Sequence, residues 1–93
     1  MGQLPTPETP TVKYTETSGE LDASTPPVNG AYTYNWRVAL ASAPDIYVQT
    51  AQTIGGRMLF KGLTPGQVYL VQVCAVGAAG PSNWSNAGRR MVV

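Results

Sequence analysis

Acid–base or nucleophilic catalysis needs titratable side chains that converge, and this chain of 93 residues offers few. It has no histidine, a single cysteine at Cys74, and five carboxylates at Glu8, Glu16, Glu20, Asp22 and Asp45. Glu20 and Asp22 share one outward face of a predicted strand, the pattern of a solvated surface rather than of a proton-transfer pair. One cysteine without histidine cannot complete a tetrahedral zinc site, and no loop spaces its oxygen ligands for calcium. Gly55-Gly56 and the stretch Gly77 to Gly80 lack the lysine and following helix that turn a glycine loop into a phosphate cradle. Arg89-Arg90 is the only adjacent basic pair and reads as strand charge. The chain is expected not to be an enzyme and to hold neither cofactor nor metal.

Contact chemistry remains. Tyr32, Tyr47, Leu70, Cys74 and Trp84 are the candidates for an exposed patch. Trp84 stands in Ser82-Asn83-Trp84-Ser85, where its indole either lids the sheet beside the final loop or meets a partner. Cys74 is expected to point outward from the central strand of its sheet, as a small partly covered apolar residue or as half of an intermolecular disulfide. Asn83-Trp84-Ser85 is also a glycosylation sequon, which has meaning only in a eukaryotic secretory host.

Length and composition bound the scaffold behind these residues. A chain this short forms one domain and buries roughly 60–65% of its unfolded surface. Hydrophobic residues make up 43% of it, enough for a core without metals or disulfides. Charged residues are only 12%, about half the usual share, so Thr, Ser, Gln, Asn and backbone must cover the surface. A net charge of +1 argues against electrostatic capture of nucleic acid or an anionic membrane. No apolar run approaches the roughly 20 residues that span a bilayer. Met1-Gly2 reads as an expression start ahead of an excised domain.

Three prolines in residues 1–10 and little to bury there suggest a linker, with the domain over 11–93. Thr11 to Thr17 reads as a first strand and Glu20 to Thr25 as a second, with Leu21, Ala23 and Thr25 on one face. Pro26-Pro27-Val28-Asn29-Gly30 stops it in a turn. Ala31 to Leu40 alternates cleanly, Tyr34, Trp36, Val38 and Leu40 facing one way. Ser42 to Asp45 reads as a loop, Ile46 to Thr50 as a strand, and Arg57 to Lys61 as another with Met58 and Phe60 facing in. Tyr69, Val71, Val73 and Ala75 alternate in the next strand. Gly77 to Pro81 makes a loop, and Gly88 to Val93 supplies the last strand. No window carries helical periodicity. The expected core is Leu21, Tyr34, Trp36, Val38, Phe60, Leu63, Tyr69, Val71 and Val73.

Leu63-Thr64-Pro65-Gly66-Gln67-Val68-Tyr69 resembles the tyrosine corner of a β-sandwich, where the phenol hydroxyl reaches back to a backbone group and pins the crossing between sheets. With Gly19-Glu20-Leu21, Pro27 to Ala31 leading to Tyr34, and Val73 to Ser85, the chain resembles a fibronectin type III domain, and more narrowly the bacterial members. The resemblance covers about residues 10–93, and its second half carries the specific motifs. It implies an all-β, seven-stranded antiparallel sandwich of immunoglobulin-like type. The function it implies is a non-catalytic spacer or protein-interaction module of a larger bacterial or phage-associated protein, outside the cell, on its surface or on a virion. Its partners would be another protein or neighbouring domains. A carbohydrate-contacting accessory module of a polysaccharide-active enzyme is the first alternative.

The family's core tryptophan, late in the second strand, aligns here with Thr25, and Trp36 is expected to fill that volume. Ser82 to Ser85 also resembles half of the Trp-Ser-x-Trp-Ser box of cytokine receptors, which makes a ligand-binding domain of that type the second alternative. The arginines that stack on that box are replaced here by Gln72 and Cys74, so the ladder is not expected in that form. Arg37 or Arg89 remains able to cover one face of the Trp84 indole.

Overall fold

The computed structural model describes residues 6–78 and 80–92, and among them the ordered elements are all strands. Period-two alternation builds two sheets. The smaller holds β1 (Thr11–Tyr14), β2 (Leu21–Ser24) and β5 (Arg57–Phe60) in the order β1-β2-β5. The larger begins with β4 (Ala43–Thr53), β3 (Ala31–Leu40) and β6 (Val68–Gly77). On the far side of β6 lie two short pieces, β7 (Gly80–Pro81) and β8 (Gly88–Met91). Every pairing is antiparallel. The result is a two-sheet antiparallel β-sandwich.

Its core lies between the inner faces. Val12, Leu21, Ala23 and Phe60 from the smaller sheet meet Tyr34, Trp36, Val38, Val71, Val73 and Ala75 from the larger, with Leu63, Tyr69 and Val92 closing one end. All nine residues named from the sequence as core belong to this buried cluster. Trp36 is 0% exposed, and its indole nitrogen donates to Thr53 Oγ1 at 2.8 Å, so its polar atom is not stranded. Thr25 is buried with its hydroxyl unpartnered among the described residues.

The crossing from β5 to β6 is tied at both ends. Tyr69 is buried, and its hydroxyl accepts the Thr64 N–H at 2.9 Å. Leu63 N–H donates to Gly19 O, while Gly66 N–H donates to Val92 O. A second tyrosine repeats the device at the other crossing: the Tyr34 hydroxyl accepts the Val28 N–H at 2.9 Å. That tie was not read from the sequence, although Pro27-Val28 six residues ahead of a tyrosine is its visible trace.

Two expectations change. The loop over Ser42 to Asp45 is instead a tight hairpin, with Leu40 opposite Ala43 and β4 running from there to Thr53. Pro44 obscured it, yet β4 is an edge strand, where a residue without an N–H is tolerated. The expected loop Gly77 to Pro81 contains a short paired piece, Gly80–Pro81, so the strand beside β6 is interrupted and the expected sandwich gains a two-residue eighth segment. Of the stretch 1–10 expected to link domains, residues 1–5 lie outside the described residues. Pro7 and Pro10 are buried, so that part packs on the sandwich. The Pro10 carbonyl lies where a Cβ on Gly88 would be only 2.6 Å from it, so this close approach needs glycine at 88.

Two variants test this packing. Trp36→Ala is expected to cost about 3–5 kcal/mol, a large share of the total stability of such a domain. A melting temperature that barely moves would refute the central place of this side chain. Tyr69→Phe keeps the ring but strands the Thr64 amide, and should lower stability by about 1–2 kcal/mol in urea unfolding. An unchanged midpoint means the tie contributes nothing.

Candidate functional site

The contact surface is built by the interrupted strand. Pro81 stands opposite Val76 and Gly88 opposite Val71, so seven steps along this segment run beside five steps of β6. The excess cannot stay in the ladder. Ser82 and Ser85 keep it attached: their N–H groups donate to Ala75 O and Val73 O. Their hydroxyls accept the Ala75 and Val73 N–H groups, at 3.0 and 3.1 Å. Both serines are buried, and their side chains act as substitute ladder acceptors. The residues between them are left to bulge away from the sheet, and Trp84 lies over its outer face.

Trp84 covers Arg37. The guanidinium carbon lies 4.0 Å from the centre of the indole and 4.4 Å from the centre of the Tyr47 ring, so the cation is layered between two aromatic faces. Arg37 Nε donates to Gln72 Oε1 at 2.9 Å, and Gln72 Nε2 donates to Ser85 O at 3.0 Å, which fixes the stack to the bulge. Gln72, read from the sequence as standing where a stacking arginine would be, serves as the anchor of an arginine on the neighbouring strand. Beside the stack opens a depression of about 520 Å³, lined by Asn35, Arg37, Tyr47, Thr50, Ala51, Gln52 and Trp84.

The five residues named as a contact patch are not all brought together. Tyr47 and Trp84 line the depression; Tyr32 and Leu70 do not. Tyr32 is well exposed near the start of β3, and Leu70 is half-buried opposite Ala39. Cys74 is opposite Asn35 on the outer face, yet it is only 1% exposed, so it supplies no contact surface and is not positioned for an intermolecular disulfide. Burial pushes its thiol pKa up, an effect that the neighbouring Asn35 and the Arg37 charge only partly offset. Asn35 was the missed residue. Arg37 was named with Arg89 as able to cover one face of Trp84, and it is Arg37 that does so; nothing in the sequence pointed to Tyr47 as its second ring.

Among the described residues no group of acidic, histidine or cysteine side chains could hold a metal ion. One ion pair is formed among them, Arg57 with Asp22 at 2.7 Å, and its arginine is largely exposed. On the seam between the sheets Arg90 lies over Tyr14 at 4.8 Å.

Solved structures of fibronectin type III domains share the two-sheet fold. The fn3 domain of human collagen alpha-1(XX) chain is 26% identical, with 97% of this chain and 86% of that one covered and a TM-score of 0.77. The sixth fibronectin type III domain of human fibronectin type III domain containing protein 3 is 14% identical, with 99% and 88% covered and a TM-score of 0.81. The chicken CNTN1 FN1–FN3 structure is 21% identical over 96% of this chain and 31% of that longer one, with a TM-score of 0.82. No protein-family model matches the chain, and no curated relative does. The fold is that of a fibronectin type III domain, a class of module that serves as spacer or interaction unit in multidomain chains.

Because Cys74 is enclosed and burial pushes its thiol pKa up, alkylation by iodoacetamide in mildly alkaline buffer should be slow in the native protein and fast in denaturant. Equal rates in the two states would show that the covering side chains open freely.

Proposed function

We propose that this domain is a non-catalytic module of a larger bacterial or phage-associated protein, placed outside the cell, on its surface or on a virion. There it spaces its neighbours and offers its outer sheet face to a protein partner, with residues 1–10 leading to the domain before it. The observation that carries the reading is the outer face itself. An arginine is locked between two rings by a bulge that two buried serines hold in place, a rigid presentation with no acid–base pair beside it. The likeness to solved fibronectin type III domains supports the modular part of this reading. The bacterial or phage setting rests on the resemblance of the Leu63 to Ser85 motifs.

A carbohydrate-contacting accessory role is the second reading, since Tyr47 and Trp84 share one depression with the amides of Asn35 and Gln52. It is the weaker of the two. Sugar-binding aromatics offer a free face to the ring, and here one face of each is occupied by Arg37.

The full-length protein tests the proposal. Replacing this domain with an unrelated fibronectin type III domain of equal length should restore what deletion abolishes if the role is spacing alone. If a surface is read, replacement should fail, and so should Arg37→Ala in the intact chain. Full function after outright deletion would sink both roles. Retention on insoluble polysaccharide that disappears in Tyr47→Ala and Trp84→Ala would promote the second reading instead.

A further inference from the structure

The depression is bounded on one side by β4, and β4 is paired along only one of its edges. It pairs with β3 at residue 43, at 47 and over 49–53, while the one hydrogen bond across its other edge, among the described residues, is Gln49 Nε2 donating to the Lys61 carbonyl. Such an edge is a row of unpaired N–H and C=O groups, and proteins that avoid pairing there guard it with lysine, proline or a charge. The start of β4 is guarded, by Pro44 and Asp45. The stretch from Ile46 to Thr53 has no charge and no proline, and it exposes 66% of Ile46 and 47% of Val48. Val48 is also the extra residue of a bulge, since Gln49 faces Val38 and Tyr47 faces Ala39.

A second, independent feature says what would complement it. Among the described residues Arg37 forms no ion pair, its Nε is committed to Gln72, and its terminal nitrogens have no acceptor. A guanidinium partly covered by two rings and lacking an anion is a donor fork waiting for a carboxylate. A strand added beyond β4 would place its outer-face side chains two strand spacings, roughly 10 Å, from those of β3. Arginine and glutamate side chains together bridge that span.

From these two features we propose that Ile46–Thr53 receives an extended acidic segment of a partner protein as an additional strand. Its main chain pairs with the free edge of β4, and an Asp or Glu on its outer face binds the terminal nitrogens of Arg37 beside Tyr47. Main-chain bonds supply affinity and the carboxylate sets register and selectivity. The inference rests on the reading of the domain as a protein-interaction module and names the surface and the partner's chemistry.

Selection of a displayed library of short random peptides on the domain provides the probe. Selected peptides should alternate β-branched or apolar residues and share an Asp or Glu at one position. Bound to the domain, the best peptide should slow amide hydrogen exchange at alternate residues of 46–53. Replacing its acid by the amide, or Arg37 by Gln, should weaken binding at least about tenfold, the loss of one charge-assisted hydrogen bond. Arg57→Gln, on the other sheet, should change nothing. N-methylation of alternate peptide amides should abolish binding in one phase and spare it in the other, a result that leaves the fold of the domain untouched. The idea is overturned by exchange protection confined to other strands or loops, by equal affinity for acid and amide peptides, by polysaccharide displacing the peptide from the depression, or by no enrichment at all. A domain that fails replacement in the full chain yet shows one of these results interacts through another surface, so the two proposals fail separately.

Discussion

The buried phenol of Tyr69, with its oxygen on the Thr64 amide, is the contact from which the rest of the architecture follows. Between β5 and β6 the chain must leave one sheet and enter the other, and a crossing segment exposes backbone groups that neither sheet satisfies. Here those groups are taken up within a few residues. Leu63 bonds to Gly19, Gly66 and Gln67 exchange bonds with Val92, and the ring of Tyr69 fills the gap under the crossing. With that corner closed, the inner faces of β3 and β6 are held over β2 and β5, and Trp36 and Phe60 lose all exposure. The Tyr34 tie to Val28 performs the same service at the crossing from β2 to β3.

On the other side of the large sheet the physical problem is different. The last strand has more residues than β6 has places, and the ladder would break if nothing replaced the missing acceptors. Ser82 and Ser85 replace them with their own hydroxyls, which costs no burial of unpaired amides. The surplus residues then become a platform. Trp84, Arg37 and Tyr47 form a layered stack whose position follows from hydrogen bonding beneath it, with Gln72 bridging the cation to the main chain of the bulge. A surface of this kind is preorganised, and ordering it on binding costs little entropy.

The chemistry available to such a surface is recognition. Its polar groups are amides, hydroxyls and one unpaired guanidinium, and its apolar groups are aromatic rings and the β-branched side chains of an edge strand. The sparse charge of the chain leaves β4 and the depression nearly neutral, so the single cation of Arg37 dominates the local field. The same neutrality explains why the edge of β4 stands unguarded beyond Asp45.

Much of this was legible without coordinates, because it is local. Alternation placed Tyr34, Trp36, Val38, Tyr69, Val71 and Val73 on inward faces, and the resemblance of Leu63 to Tyr69 to a tyrosine corner implied a two-layer sandwich. Those signals survive in one dimension because a strand's period and a seven-residue crossing need no distant partner to be read. The hairpin at 41–42 was hidden, since whether Pro44 ends a strand depends on whether its missing N–H would face a neighbour. Burial of Cys74 was hidden too, for an outward place on a strand does not reveal what lies over it. Arg37 meets Tyr47 and Trp84 across three strands and 47 positions of chain, from 37 to 84, through a register and a bulge that only the assembled sheet decides. Sequence by itself determined the layers, the core and many outward places; tertiary structure decided which outward side chains meet, because that depends on pairing between residues that no local pattern connects.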